Sequence, residues 1–504
     1  MSAHGDSDRE DVTNLDGNKA VGLSRREVLR DTTLLAMSAV ALPSLLAACG
    51  GSAKTSSSAT ASGGATDWKQ FQGTTLNFIS ENTAPSAAIA ADSAAFTEKT
   101  GMTIKIQQME LGALVQKVAL DFGSGRASYD IIYADPYQVL APYYQGLVDL
   151  NKFVSDTSLP QIPLGIGDFI PAQLLTVGRF LDESKLYALP YDCPTMIWFY
   201  RKDIFAKYKD QMSQALGFDP TPSVDSTWEQ YYQIAKWFNA NKAKTGIPYG
   251  TGHQAKQYDS LMCDFSNILA AHGGGYFADD AKVGGLGSAS PGACMLDQPE
   301  AIQAAEFYMK LLAIANPAST TWDWSGADAG FQAEQMVMVP NWHEFAAGDV
   351  KKFGEKVGYY RLPKGPKRAA DIFGGTGIAI NGGAAEKQQK AAWLFLLWAT
   401  SPETQLADLK SKVGGGTPTR TSVYEMPEVI QNSKWPSTMP NLLATGAARD
   451  AWKPENVYMR PKIPQWNQVD TVVFTELSKM LAGQQSPQAT MKSATQQIDK
   501  IVGA

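Results

Sequence analysis

Residues 186–205 read LYALPYDCPTMIWFYRKDIF. Aromatic and β-branched residues dominate the run, and the charged residues near its end are typical of a helix start. The pattern predicts a long extended segment that leads into a helix. Such a length is expected of a strand that leaves one lobe of a protein and enters the next.

The part of the chain before this segment alternates between strand and helix. The predicted strands cover residues 75–80, 102–107 and 129–133, and the predicted helices cover residues 86–99, 111–122 and 139–145. This β-α-β-α-β order predicts a parallel sheet covered by helices on both faces. Ligands of such sheets lie beyond the carboxyl ends of the strands. Those ends carry Asn82, Glu110 and Asp135.

The rest of the chain is mainly helical in pattern. Helices are predicted at residues 227–239, 258–271 and 299–315. The first of them begins behind a Thr227 cap with Gln230 in its first turn. A glycine-rich extended segment at 373–380 precedes a strongly apolar helix at 387–400.

Length and composition narrow the class of protein. Residues 67–504 are too many for one typical core, so two lobes are expected. The formal net charge is −6 and no basic patch stands out, which argues against nucleic acid or an anionic lipid surface as partner. The 12 Trp and 19 Tyr residues exceed what a core of this size requires.

The first 49 residues have the pattern of an export signal. A twin-arginine signature, SRREVLR at 24–30, precedes an apolar stretch that is too short to be a spanning helix. The stretch closes with LAAC at 46–49, which resembles a lipobox and implies that Cys49 is lipidated. The alternative is an ordinary signal peptide in which Cys49 is incidental. Residues 50–66 are rich in Gly, Ser, Ala and Thr and predict a flexible tether.

Three further cysteines follow Cys49 in the chain. A disulfide between Cys263 and Cys294 would close the shorter loop, and an exported protein could form it. Twin-arginine export, however, carries proteins that have folded in a reducing compartment, so these thiols could equally be free. The role of Cys193 is left open.

Four stretches in order resemble extracellular solute-binding proteins of the sugar-binding family that contains maltose-binding protein. They are residues 129–135 with 146–150, residues 189–205, residues 331–342, and residues 374–380 before the apolar helix. The resemblance implies an α/β, type II periplasmic-binding-protein-like fold, with two lobes joined by crossing hinge strands. The hinges are expected near 190–196, 371–374 and 416–424. Lobe 1 would comprise 67–190 and 371–415, and lobe 2 would comprise 191–370 and 416–504.

The same resemblance implies a binding protein of an ABC importer. It would capture a neutral carbohydrate (a sugar, oligosaccharide or polyol) in the cleft and deliver it to the permease subunits. We expect a monomer without cofactor, held at the outer face of the cytoplasmic membrane by its lipid anchor alone. The alternatives are a receptor for a non-sugar solute and a secreted carbohydrate-active enzyme. No nucleophile elbow, zinc motif or phosphate loop supports the enzyme, so no catalytic residue and no metal ligand are predicted.

A sugar has polar edges and apolar faces, which aromatic planes cover while carboxylates, amides and guanidinium groups bind the hydroxyls. The candidate ligand-binding residues are Asn82, Glu110, Asp135, Tyr137, Tyr191, Asp192, Thr195, Tyr258, Asp264, Trp342, Gly375, Arg420 and Trp466. Trp342 and Trp466 stand where this family places stacking aromatics, and Trp322 and Trp324 are further second-lobe candidates.

Several of these candidates have a second interpretation. Asn82 could be a loop cap, and Trp342 could be a core residue or pack between the lobes. Asp135 could instead cap a helix that starts at Pro136. Gly375 could bring a backbone amide to a ligand or merely permit the hinge conformation, and Arg420 could bond hydroxyls or hold a buried carboxylate. The maltodextrin-binding members of the family carry an acidic residue near the position of Cys193 and Pro194, and the nearest acid in this chain is Asp192. The pattern of ligand hydroxyls bound there is therefore expected to differ, and maltose itself is doubtful.

Overall fold

The computed structural model describes residues 67–413 and 415–504. The predicted signal segment, the lipidated Cys49 and the tether therefore lie outside the described residues. Residues 64–504 form one compact unit. Within the described part, no helix is long and apolar enough to cross a membrane.

The strands alternate with helices along most of the chain. The strands are β1 (Thr75–Glu81), β2 (Thr103–Met109), β3 (Ile131–Ala134), β4 (Ala188–Asp192), β5 (Met196–Arg201), β6 (Tyr249–Thr251), β7 (Met336–Trp342), β8 (Val357–Tyr360), β9 (Asp371–Ile372), β10 (Thr376–Ile380) and β11 (Val457–Tyr458). The helices are α1 (Ala84–Ala91), α2 (Ser93–Thr100), α3 (Leu111–Ser124), α4 (Ala141–Tyr143), α5 (Asn151–Val154), α6 (Pro171–Gln173), α7 (Lys202–Leu216), α8 (Trp228–Ala240), α9 (Lys242–Thr245), α10 (Asp259–Ala271), α11 (Asp280–Gly285), α12 (Pro299–Leu312), α13 (Trp324–Gln332), α14 (Ala346–Phe353), α15 (Glu386–Ala399), α16 (Pro402–Lys410), α17 (Thr421–Tyr424), α18 (Pro427–Asn432), α19 (Thr445–Ala451), α20 (Trp466–Leu481) and α21 (Pro487–Val502).

The first sheet has five strands in the order β2-β1-β3-β10-β4. Strands β1, β2 and β3 are parallel, as their alternation with helices predicts. Strand β10 is antiparallel to both β3 and β4, so the sheet is mixed and the expectation of a parallel sheet holds only for its first part. Gly377 pairs with Ala134, which means that β10 enters the sheet at the end where β3 leaves it and must run in the opposite direction.

The second sheet has four strands in the order β6-β7-β5-β8. Strand β5 runs antiparallel to both β7 and β8, and β6 is parallel to β7. The segment 186–205 is thus two strands rather than one: β4 belongs to the first sheet and β5 to the second. The break falls at residues 193–195, where Pro194 has no backbone N–H to donate to a ladder.

Two local predictions are also corrected. The helix expected at 86–99 is two helices, α1 and α2, which meet at Asp92. The helix expected at 139–145 is a π-helical turn (Pro136–Leu140), the short α4 and a 3₁₀ turn (Tyr144–Gly146). Pro142 lies inside the segment and lacks the N–H that a regular helix needs, which accounts for a break in the winding there.

The helix starting after Thr227 is confirmed together with its cap. The Thr227 hydroxyl accepts a hydrogen bond from Gln230 N–H (3.2 Å), and the Gln230 side chain accepts one from Thr227 N–H (2.9 Å). The predicted apolar helix is α15, whose buried Trp393 and Phe395 pack beneath the first sheet. Each sheet lies in its own large apolar cluster of side chains.

Three chain segments cross between the two sheets and are bonded to one another. The Thr195 hydroxyl donates to the carbonyl of Ile372 (2.7 Å), and Thr417 N–H donates to Asp192 Oδ1 (2.6 Å). The buried ring of His343 accepts from Thr195 N–H through Nδ1 (3.1 Å) and contacts the Thr417 hydroxyl through Nε2 (2.9 Å). These segments coincide with the predicted hinges, while the lobe ranges given above stay a prediction.

The disulfide considered above is not formed in the structure. Cys193, Cys263 and Cys294 are all buried free thiols. The Cys263 thiol lies 3.4 Å from Asp259 Oδ2 and 3.3 Å from Arg460 Nη1, so its contacts are with polar side chains and not with a second thiol.

Candidate functional site

A cleft with a cavity volume of about 130 Å³ opens between the ends of the two sheets. The residues that line it are Glu81, Asn82, Thr83, Ala84, Leu111, Tyr133, Asp135, Pro194, Asp259, Trp324, Ser325, Trp342, Glu344, Phe345, Gly374, Gly375 and Arg460.

The first wall consists of the carboxyl ends of parallel strands. Glu81 ends β1, and Tyr133 and Asp135 stand at the end of β3. Asn82 comes directly after Glu81 in the chain, and its backbone N–H donates to the carbonyl of Met109 (2.8 Å). The position agrees with the rule that ligands of such sheets bind beyond the strand ends.

The second wall is mainly aromatic. Trp342 is the last residue of β7, and Phe345 follows it closely in the chain. Trp324 begins α13 behind the side chain of Asp323, which caps the helix by accepting from Gly326 N–H (3.0 Å). Trp324 also packs on Tyr258, with ring centroids 5.3 Å apart. Indole rings in a cleft can cover the apolar face of a ligand.

Four carboxyl groups and one guanidinium group give the cleft its charge. The carboxyls belong to Glu81, Asp135, Asp259 and Glu344, and the guanidinium belongs to Arg460. Arg460 is 3 % exposed, and its Nη1 lies 3.5 Å from Asp259 Oδ1. Its guanidinium also lies over the ring of Tyr137, 4.1 Å from the centroid, a cation–π arrangement.

Burial shifts the pKa values of the carboxyls on the first wall. Desolvation raises the pKa of Glu81 to about 8, and the nearby charges of Asp135 and Asp259 add to this while a hydrogen bond from Tyr133 opposes it. Desolvation also raises the pKa of Asp135 to about 6. That second rise is smaller because the charge of Arg460 and the N–H groups of the following turn favour the ionised form.

Glu344 forms a carboxyl–carboxyl pair with Asp192 beneath the cleft. Burial raises the pKa of Glu344 well above its usual range, and the adjacent Asp192 raises it further. Burial likewise raises the pKa of Asp192, although Glu344 and Thr417 oppose this by hydrogen bonding. Two acids in such contact cannot both ionise at low cost, so they share a proton.

Five of the candidate ligand-binding residues line the cleft: Asn82, Asp135, Trp324, Trp342 and Gly375. Asp135 lines the cleft and also caps the turn that follows it, because its Oδ1 accepts from the backbone N–H groups of Tyr137 (2.9 Å) and Gln138 (2.6 Å). Gly375 has a φ of +87°, which a residue with a side chain adopts only under strain.

Glu110 and Tyr258 lie at a neighbouring opening that shares Ser325 with the cleft. Lys256 also lines this opening and forms an ion pair with Asp323 (3.0 Å). The two predicted residues are thus beside the cleft and not in it.

Arg420 and Asp264 are taken up by contacts inside the protein. Arg420 is completely buried, donates to the carbonyls of Thr400 and Pro163 (both 2.9 Å), and lies 3.5 Å from Asp168. Of its two interpretations, the structure thus shows the buried carboxylate. Asp264 accepts from Tyr308 (2.9 Å) and pairs with His253 (2.8 Å).

The other predicted residues pack behind the walls of the cleft. Trp466 is completely buried, with its ring 5.4 Å from that of Tyr276, and Tyr137 is completely buried under Arg460. Tyr191 lies behind Tyr133, with centroids 6.5 Å apart. Asp192 and Thr195 bind the crossing segments, as described above.

Seven polar or charged residues that line the cleft are not among the candidates: Glu81, Thr83, Tyr133, Asp259, Ser325, Glu344 and Arg460. Glu81 and Tyr133 stand at strand ends that the sequence already marks, so the same rule could have found them. Asp259 and Glu344 follow the predicted Tyr258 and Trp342 closely in the chain. No sequence signal singles out Arg460, because only the fold brings it beside Asp259.

The family comparison covers most of the folded chain. Residues 80–406, well over half of the chain, match the model of the bacterial extracellular solute-binding protein family. This match includes both sheets apart from the first residues of β1.

Curated relatives cover most of the chain at low identity. A probable ABC transporter-binding protein of Deinococcus radiodurans is 25 % identical over 419 residues, which is 81 % of this chain and 89 % of the relative. A probable amino-acid ABC transporter periplasmic-binding protein of Sinorhizobium fredii is 24 % identical, with 83 % and 87 % covered. The erythritol/L-threitol-binding protein of Mycolicibacterium smegmatis is 23 % identical, with 80 % and 82 % covered.

Solved structures share the fold over nearly their whole length. An ABC transporter solute-binding protein of Agrobacterium radiobacter, in complex with ribitol, has a TM-score of 0.70 and 25 % identity and covers 85 % of this chain and 99 % of its own. Maltose-bound MalE3 of T. maritima has a TM-score of 0.69 and 21 % identity, with 85 % and 99 % covered. The type II periplasmic-binding-protein-like fold is therefore confirmed. The chain belongs to the bacterial extracellular solute-binding proteins, the ligand-capturing components of ABC transporters.

Proposed function

We propose that this chain captures a sugar, oligosaccharide or polyol in the cleft and delivers it to the permease subunits of an ABC importer. The observation that carries the proposal is the contrast between the two walls. Trp342 and Trp324 offer indole faces on one side, and the opposite wall offers carboxyl, amide and phenol groups. Apolar C–H faces and polar hydroxyl edges of one small molecule would be bound by these two surfaces together.

The crossing segments support a cleft that closes on its ligand. They converge on the buried His343, which stands between the cleft residues Trp342 and Glu344 in the chain. We infer that the two predicted lobes rotate about this point and exclude water from the ligand. Hinge closure of this kind strengthens each polar contact and presents a closed shape to the importer.

An amino acid is the second candidate, since one relative is named for amino-acid transport. An α-amino acid needs a free cationic group for its carboxylate as well as an acid for its ammonium. Arg460 is the only basic residue among those described that line the cleft, and it is already paired with Asp259. The polyhydroxylated ligand therefore remains the better fit.

The class of ligand can be tested with residues 64–504, which form a compact unit. Thermal shifts would be measured with mono-, di- and oligosaccharides, polyols and amino acids. Ligand at about 100 times its Kd adds about 2.7 kcal/mol to the stability of the folded state, enough to raise Tm by a few degrees. A rise in Tm with a sugar or polyol supports the proposal. If no sugar or polyol raises Tm and an amino acid does, the proposal is contradicted. Any oligosaccharide that binds is then incubated with the protein for a prolonged period. An uncleaved oligosaccharide supports a binding protein, and cleavage would indicate an enzyme.

We also propose that residues 1–48 are removed as a twin-arginine signal and that Cys49 then carries the lipid anchor. The order of signature, apolar stretch and LAAC motif supports this. The test compares the full chain with Cys49→Ala in a cell with twin-arginine export and a labelled fatty acid. Label on the parent chain, its absence from the variant and release of the variant from the membrane fraction are expected. Equal label on both chains would refute the anchor.

A further inference from the structure

The cleft is small for a ligand of more than one sugar unit. Its cavity volume is about 130 Å³. An engineered protein cavity of about 150 Å³ is filled by one molecule of benzene. The cleft thus has room for one six-membered ring or a short polyol, whereas a disaccharide brings two rings. A longer ligand would have to extend out of the cleft into the space beside it.

A second, larger cavity lies directly beside the cleft. It is the neighbouring opening described above, at Glu110 and Tyr258, and its volume is about 460 Å³. Ser325 lines both cavities. Glu110, Ala113 and Lys256 are exposed, so the opening belongs to the surface of the protein. A ligand that extends beyond the cleft on this side would enter it.

The two cavities are separated by a single layer of residues. Three segments of the chain each contribute one residue to the cleft and the adjacent residue to the opening: Leu111 and Gly112, Asp259 and Tyr258, and Trp324 and Asp323. The boundary therefore runs along the start of three helices, α3, α10 and α13. A side chain that fills the gap between these helix starts keeps the cavities apart.

Tyr258 is the side chain that bridges this boundary. It precedes α10, and its hydroxyl accepts a hydrogen bond from the backbone N–H of Gly112 in the first turn of α3 (3.3 Å). A Cβ atom built on Gly112 would lie 3.6 Å from Cε2 of the same ring, which is ordinary van der Waals contact. The phenol ring and α3 are therefore in contact, and the path from the cleft to the opening is blocked there.

Contacts on several sides hold the ring of Tyr258 in this position. Trp324 packs on it with ring centroids 5.3 Å apart, and Lys256 Nζ lies 5.6 Å from its centroid, within the range of a cation–π contact. Asp259, the next residue in the chain, accepts a hydrogen bond from Gln138 Nε2 (3.0 Å). The ring cannot swing aside without losing these contacts, so it acts as a fixed wall.

We propose that the cleft binds a single monosaccharide or a linear polyol of similar size, and that Tyr258 sets this limit by closing the path into the neighbouring opening. The inference rests on the proposed function and narrows its ligand class, because it excludes oligosaccharides. The role of Tyr258 also differs from the ligand contact expected from the family resemblance. A second sugar unit on this side would collide with the phenol ring, whereas removal of the ring would join the cleft to the larger cavity.

The first test is the thermal-shift screen on residues 64–504, with single units matched to longer carbohydrates that contain them. The pairs are D-glucose and maltose, D-xylose and xylobiose, and D-glucitol and maltitol. Calorimetric titration then gives the Kd of each probe that raises Tm and of its partner. We expect the ligands that raise Tm to be single units, and the longer partner of a binding unit to bind about tenfold more weakly or worse.

Variants assign the limit to the phenol ring. Tyr258→Leu keeps an apolar side chain against Trp324 but is too short to reach Gly112, and Tyr258→Ala removes the ring altogether. Each should bind at least one longer partner about tenfold tighter or more than the parent does, with little change for the single unit. Tyr258→Phe keeps the ring and should keep the limit. The matched control is Tyr232→Ala, which removes a half-buried tyrosine of α8 outside both cavities.

The possible results separate this inference from the proposed function. A disaccharide or oligosaccharide that binds the parent as tightly as its single unit overturns the inference and leaves the proposed function intact. The role of Tyr258 is overturned if both truncated variants still reject every longer partner, if Tyr232→Ala gains as much, or if folded Tyr258→Leu no longer binds the single unit. If neither truncated variant folds, the pairs on the parent decide. If no sugar or polyol of any size raises Tm, the proposed function falls and the inference falls with it.

Discussion

A Cβ atom built on Gly374 would lie only 2.7 Å from Cζ3 of Trp342. The indole ring therefore packs directly on the second crossing segment, where Gly374 N–H donates to the carbonyl of Pro194 (2.9 Å). A change in the angle of the hinge would move the surface on which the ring rests. The proposed stacking of a ligand on Trp342 and the proposed closure would therefore be mechanically connected in this cleft.

Gly374→Ala should displace the Trp342 ring and lower ligand affinity. A contact of 2.7 Å is closer than carbon atoms tolerate, so either the ring or the crossing segment must shift. We expect a loss of about tenfold in affinity, because a misplaced aromatic forfeits about 1–2 kcal/mol. Calorimetric titration of the ligand found in the thermal-shift screen measures it. The control is Gly446→Ala in α19, where a Cβ would meet nothing within 4 Å; equal affinities for the two variants would contradict the stacking role.

Trp342→Ala should lower ligand affinity, whereas Trp466→Ala should lower stability alone. Trp342 lines the cleft and is also 7 % exposed, so its loss is expected to weaken binding by about tenfold or more and to lower the unfolding free energy as well. Trp466 is completely buried against Tyr276, so its removal leaves a cavity and costs about 3–5 kcal/mol of unfolding free energy. Denaturant unfolding and calorimetry measure both quantities on each variant. Loss of affinity in a folded Trp466→Ala protein would return that residue to the site.

Arg420→Ala is expected to destabilise the protein without altering ligand affinity. The change removes the guanidinium partner of Asp168 and the donor to three carbonyl groups, and removing one partner of a buried pair costs about 3–5 kcal/mol. Urea unfolding gives the loss, and titration below the transition gives the affinity. Arg126→Ala, at an exposed position, should stay within about 0.5 kcal/mol of the parent. A folded Arg420→Ala protein with weakened binding would contradict the structural role.

The ligand-free protein should lose stability as the pH rises from 4.5 to 8, and Glu81→Gln should reduce that loss. The pKa of Glu81 is raised from 4.5 to about 8, so the folded state keeps a proton that the unfolded chain has already released. In this window the unfolded state binds fewer protons, and the unfolding free energy falls with rising pH. Below pH 4.5 both states are protonated and the contribution is complete.

The measurement is the unfolding free energy of the parent and of Glu81→Gln at several pH values between 4.5 and 8. Asp135 and Asp371, whose pKa values burial raises to about 6 and about 8, stay in both proteins. The difference between the two curves therefore isolates Glu81. Parallel curves would show that the Glu81 carboxyl is already ionised throughout the window.

Much of the fold follows from local patterns along the chain. The strands β1 to β3 alternate with helices, the Thr227 cap begins α8, and the apolar run at 387–400 becomes the buried α15. The direction of β10 was not predictable in this way. Its partner strands lie hundreds of residues earlier, and no local property of a glycine-rich extended run specifies which way it enters a sheet.

The residues of the candidate site likewise fall into those that local sequence patterns predict and those that they do not. Asn82 and Asp135 could be named because the carboxyl end of a parallel strand is a position that local order defines. Trp342 required the family resemblance as well. Arg420 and Trp466 lie outside the lining of the cleft. A residue type suited to a ligand is equally suited to a buried ion pair or an aromatic core, and the sequence alone does not distinguish these surroundings.

By itself the sequence determined the α/β class, the crossing segments, the family and the strand ends that line the cleft. Only the tertiary structure decided the charge of the cleft. Glu81, Asp259, Glu344 and Arg460 are distant in the chain, and they meet because two sheets and the helix α10 place them around one cavity. Electrostatic energy depends on distance and on removal from water, and both quantities exist only once the chain has folded.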